Sequence, residues 1–158
     1  MGILYKSKVK KQILENIHSA NEIIADINKC LIPANNIVWC NKLDLVDSIA
    51  DSNNFELFNK NLFLILSHLK NLDDVYHINA KLCQDYPKLE EFSKSFFLER
   101  FRILKQSISL SLNDLKTLPV YKHDSKIKHL VKLLQTISKN IDEIVENIKA
   151  EQLKEKSL

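Results

Sequence analysis

Glu15-Asn16-Ile17-His18 has the Glu-x-x-His spacing with which helical di-metal proteins aim ligands into a bundle interior, and Asp74-Val75-Tyr76-His77 is a looser version. Both pairs fall on the outer, polar positions of the helical repeats that contain them. Two ordinary solvent-facing pairs are therefore expected, not a metal centre. His77 and Cys83, read as base and nucleophile, lie six residues apart on different helical faces. At 1.5 Å per residue they are separated by about 9 Å along the axis, beyond hydrogen-bond reach. His123 and His129 sit among lysines and suit a surface. Gly2 is the one glycine, so no glycine-rich phosphate loop exists. Nothing in these spacings supports a named reaction, and neither catalytic residue, cofactor nor metal is expected.

Cys30, Cys40 and Cys83 form an odd set with no Cys-x-x-Cys pair. Structural zinc sites use four ligands, usually in close pairs, and secreted disulfide scaffolds usually carry an even count. Free thiols in a reducing compartment fit this set. Apolar residues precede the first lysines instead of following them, unlike a secretory signal. Gly2 is followed by Lys6 where myristoylation wants Ser or Thr. The longest apolar run is Leu62 to Leu66, far short of the roughly 18 residues of a membrane span. The expected location is cytoplasmic.

The elements that hold these residues are helices. The chain has 158 residues, 45% of them apolar, and three prolines. With so few residues suited to positive φ it cannot make many tight hairpins, which argues against all-β and dinucleotide-binding folds. Ile13, Ile17, Ala20, Ile24, Ile27 and Leu31 step 4-3-4-3-4 along one face and predict a helix over about 5–31, ended by Pro33 and Asn35-Asn36. Phe55, Phe58, Leu62, Ile65, Leu69 and Leu72 predict a second over about 54–85. Phe97, Phe101, Leu104, Ile108, Leu115 and Leu118 predict a third over about 88–118. Ile127, Leu130, Leu134, Ile137, Ile141, Ile144 and Ile148 predict a fourth over about 124–156. Val131, Leu133 and Val145 widen that last stripe beyond a two-stranded seam. A short helix is expected at about 41–51. The whole chain, 1–158, reads as one all-α domain: an elongated four-helix bundle with one additional short helix in the first connection. That connection is long enough either to turn straight back or to cross the length of the bundle.

Two features remain once the seams are assigned. Leu89, Phe96, Ile103 and Leu110 form a second apolar stripe at period seven, with Leu57, Leu64 and Ile78 a weaker counterpart. One face per helix fills a four-helix bundle, so a second stripe needs a cover. Either the short helix and Trp39 supply it, or a partner protein or second copy does. The other feature is basic charge at helix starts: Lys6, Lys8, Lys10 and Lys11, then Lys122, Lys126, Lys128 and Lys132. Helix starts carry partial positive charge, so each placement costs a few tenths of a kcal/mol unless an anion approaches. Net charge is only +3, and 21 of the 23 basic residues are Lys. The near-absence of Arg argues against base-edge readout. The leading expectation is thus a non-enzymatic interaction module (adaptor, regulator or inhibitor) docking through the second stripe onto another protein or a homodimer mate. Nucleic acid or an anionic membrane, met by the lysine clusters, is the less favoured partner.

Overall fold

The computed structural model describes the backbone of residues 3–39, 52–117 and 123–157, and the side chains of 5–31, 55–117 and 123–151. Four helices account for it: α1 (Ile3–Trp39), α2 (Ser52–Leu82), α3 (Pro87–Lys116) and α4 (Ser125–Ser157). No strand occurs among the described residues. The protein is all-α. The expected short helix at 41–51, and Trp39 and Lys122 as side chains, lie outside the described residues.

One boundary differs from the sequence reading. α1 does not stop at Pro33 but continues to Trp39. A helix-interior proline loses one intrahelical hydrogen bond and strains the preceding turn, at about 3 kcal/mol. That weakens a helix without obliging it to end. No glycine follows to take up the left-handed conformation that commonly closes a helix.

The junction between α2 and α3 is made without positive φ, which no described residue adopts. The Cys83 N–H donates to the Asn79 carbonyl at 3.0 Å, and the Tyr86 N–H to the Cys83 carbonyl at 2.9 Å. Tyr86 is extended (φ −131°, ψ 81°), as a residue before proline must be, and Pro87 opens α3 where its missing N–H costs nothing. α3 ends at Thr117, whose N–H reaches back to the Asn113 carbonyl at 3.1 Å and whose hydroxyl donates to the Asp114 carbonyl at 2.8 Å.

Contacts fix the direction of every helix. Asn16 of α1 bonds Asn79 near the end of α2, and the rings of Tyr5 and Tyr86 lie 6.4 Å apart. The start of α1 therefore meets the end of α2, and the first connection turns back. Tyr76 packs edge-on against Phe97, and Lys105 pairs with Asp142, so α2, α3 and α4 also alternate in direction. α2 and α4 run parallel, with Asn59 beside His129 and His77 beside Glu151. α2 and α3 each touch all the other helices, whereas α1 and α4 do not meet among the described residues.

The apolar seams fill the space between them. All seven residues of the α4 stripe are buried, together with Val131 and Leu133. The same core takes in Leu62, Ile65, Leu69, Leu72 and Tyr76 of α2, Phe97, Phe101, Leu104 and Ile108 of α3, and Ala20, Ile27 and Leu31 of α1. A smaller cluster, Val9, Ile13 and Cys83, sits apart at the end where α1 begins.

The start of α4 is closed by a residue that the charge pattern alone concealed. The Asp124 carboxylate accepts from the N–H groups of Lys126 (2.9 Å) and Ile127 (3.1 Å), an N-cap that satisfies two otherwise unbonded donors. Asp124→Ala is expected to lower stability by about 1 kcal/mol in urea unfolding, the usual worth of such a cap. An unchanged midpoint would contradict this assignment.

Candidate interaction surface

The residues with chemical potential in the sequence are held apart by the fold. His18 pairs with Glu22 one turn on (3.2 Å), not with Glu15. His77 pairs with Asp73 (3.3 Å) and lies 3.8 Å from Glu151 of α4, while Asp74 turns to Lys70 (3.3 Å). No group of three or more His, Cys, Asp or Glu able to hold a metal exists among the described residues. Cys83 is buried and His77 exposed, so the two do not act together. Burial pushes both the Cys83 and Cys30 thiols up from their ordinary pKa, with nearby Glu90 and Asp26 adding to it. Low-pKa thiolates are the reactive ones, and these are the opposite. Cys40 lies outside the described residues.

The second apolar stripe divides into two halves. Leu89 is partly buried against the small cluster of Val9, Ile13 and Cys83. Phe96 packs on the main core, edge-on to Phe97 at 5.2 Å, with the Arg100 guanidinium 5.1 Å above its ring. Ile103 and Leu110 stay in the open, at 38% and 61% exposure. Phe92, 51% exposed, joins them. It follows Leu89 by three residues and precedes Phe96 by four, the helical step that places it on the same face although it falls outside the period-seven repeat. On α2, Leu57, Leu64 and Ile78 are exposed as well. Ser93, also on α3, is buried.

Polar residues between these faces are mostly engaged. Glu99 accepts two hydrogen bonds from Arg102, at 3.0 and 2.6 Å, which hold its carboxyl below the usual carboxylate range. Lys94 is buried on α3, and its ammonium lies 3.1 Å from Glu90. A lysine flanked by two serines gives no sign of burial, so this pair was not legible in the sequence. A groove between α3 and α4 has Leu98, Phe101 and Val145 along it, with Lys105 and Asp142 across it.

The two lysine clusters lie at opposite ends of the molecule. Lys6, Lys8, Lys10 and Lys11 are exposed where α2 ends, and α4 begins beside Phe55 and Asn59, where α2 starts. The span between them is about 40 Å at 1.5 Å per residue of α2. They cannot reinforce one another. Lys126 lies over the Phe55 ring at 5.8 Å, while Lys128 and Lys132 are exposed. The Asp124 carboxylate already occupies the place where an external anion would meet the first N–H groups of α4.

Comparison with protein-family models, curated proteins and solved structures found no match. Among the described residues no helix is long and apolar enough to cross a membrane.

Asp73 carries a pH-dependent cost. Burial raises its pKa above the ordinary carboxylate value, and the neighbouring His77 only partly opposes this. A folded-state pKa above the unfolded one penalises folding once pH rises through that window, and not below it. Asp73→Asn should therefore raise the melting temperature at pH 7 and leave it unchanged near pH 3. Destabilisation at pH 7 would show that the His77 pairing outweighs burial.

Proposed function

We propose that this chain is a non-enzymatic four-helix-bundle interaction module, an adaptor, regulator or inhibitor, which presents the outer face of α3 to a partner protein or a second copy. The observation that carries this reading is the exposure of Phe92, Ile103 and Leu110 along one side of a helix whose other side is fully used by the core. Three large apolar side chains on one helical face are the kind of anchor that dominates interface energy. Leu89 and Phe96 continue the face but are partly taken up by the small cluster and the main core, so they shape its edge.

The alternative reading, binding of nucleic acid or anionic lipid through Lys6, Lys8, Lys10 and Lys11, draws support from their shared exposure at one end. No acidic residue occupies the first turn of α1. The matching cluster on α4 supports it less, because Asp124 caps that helix and Lys126 is engaged with Phe55. A cytoplasmic location accords with either reading.

The two separate on salt and on mutation. Binding through apolar anchors changes little with ionic strength, while phosphate-dominated binding weakens steeply as counterions compete. Ile103→Asp with Leu110→Asp in the full chain should leave the circular dichroism spectrum helical. It should also abolish self-association in sedimentation equilibrium, or capture of a partner, at any salt. Lys6→Glu with Lys10→Glu should have little effect. Unfolding of the first variant would place the stripe in the core. Loss of binding only in the lysine variant, with a steep salt slope, would favour the alternative.

A further inference from the structure

The interior is divided by a polar layer. Gln12, exposed on α1, donates from Nε2 to Asn16 Oδ1 at 3.0 Å, and Asn16 Nδ2 donates to Asn79 Oδ1 at 2.8 Å. The amide chain thus runs inward from the surface and ends on the fully buried Asn79, whose Nδ2 has no hydrogen-bond acceptor among the described residues. Ser93 stands at the same level of α3. The edge-on contact of Tyr76 with Phe97 sets the antiparallel register, and Asn79 and Ser93 are one turn nearer the junction on each helix. Ser93 is also buried, with its Oγ unbonded to any described residue. A buried donor left without a partner weakens the packing around it, and here it falls between the main core and the small cluster of Val9, Ile13 and Cys83.

Beyond that layer little holds the start of α1. Among the described residues the apolar cluster there consists of Val9, Ile13 and Cys83, buried, with Ile17, Leu82, Tyr86 and Leu89 partly so. The Tyr5–Tyr86 ring contact adds one tether. Lys6, Lys8, Lys10 and Lys11 crowd the positive end of the helix dipole, with no acidic residue in the first turn to offset them. At the lysine-rich start of α4 the Asp124 cap provides such an offset.

We infer that residues 5–16 of α1 form a detachable arm, which lifts from α2 and α3 ahead of global unfolding and uncovers Val9, Ile13 and the Cys83 thiol. Regions with few buried apolar contacts open at lower free energy than the rest of a fold. The arm is hinged at the Asn16–Asn79 layer, and beyond it α1 stays anchored through Ala20, Ile27 and Leu31 in the main core. Lifting exposes a basic segment whose Val9 and Ile13 lie on one face.

Cys83 is a built-in reporter. In the full chain carrying Cys30→Ser and Cys40→Ser, it is the one remaining thiol. Its reaction with an aromatic disulfide reagent is expected to run at least about tenfold faster than the global unfolding equilibrium allows, and to depend only weakly on urea below the transition. Adding Asn16→Leu with Asn79→Leu replaces the polar pair by apolar side chains and should slow the labelling about tenfold. Labelling that follows global unfolding with its full urea dependence would overturn the proposal. Unchanged labelling in the leucine variant would overturn the part assigned to the polar layer. Should that variant fail to fold, amide hydrogen exchange in the unaltered chain decides: residues 9–16 should exchange about tenfold faster than 20–31, and equal protection would overturn it.

Discussion

Burial of the α4 stripe is the constraint around which the other helices are arranged. Ile127, Leu130, Leu134, Ile137, Ile141, Ile144 and Ile148 form an apolar face several turns long, and each such side chain contributes about 1.5–3 kcal/mol when fully removed from water. α2 and α3 cover that face, and since each carries a matching 3-4 seam, both are committed to it along most of their length. Among the described residues the α1 backbone packs on α2 and α3 and does not approach that of α4. The helix least tied to the main stripe is thus also the one with the polar interruption, the isolated end cluster and the lysine-rich start.

What remains outside follows from the same arrangement. A helix inside a bundle has one face to give, and α3 has spent its own on Phe97, Phe101, Leu104, Ile108 and Leu115. Its second stripe is left to whatever lies alongside. The small cluster of Val9, Ile13 and Cys83 covers the Leu89 end of it, and Phe96 folds onto the core, while Ile103 and Leu110 remain open to solvent. The lysine clusters are likewise placed by topology and not by charge. Alternating helix directions put the start of α1 and the start of α4 at opposite ends.

The class of the fold was legible because the seams are long and regular. A 3-4 alternation sustained over several turns of α4 has no strand equivalent, and the 3-4 steps of α1 and α2 repeat it. The direction of the first connection was not legible, because chain length alone permits both a return and a crossing. It is settled by Asn16 meeting Asn79, a pairing of two residues that periodicity assigns no partner. Pro33 was misleading for a related reason: a breaker signals cost, and cost does not by itself terminate a helix that nothing else caps. The α3 surface was half legible. Period seven finds Ile103 and Leu110 but also Leu89 and Phe96, whose cover comes from the small cluster and the core, and it misses Phe92 on the same face.

The most direct test of this account is the distance between the two helix starts. Spin labels introduced through Lys10→Cys and Lys128→Cys, in a full chain otherwise cleared of cysteine, report it by pulsed dipolar spectroscopy. Alternating helix directions, and with them an α3 face flanked by α1 and lysine clusters that cannot act together, require a separation of about 40 Å. A distance under about 20 Å would mean that the first connection crosses the molecule, and would contradict the topology on which the placement of both surfaces rests.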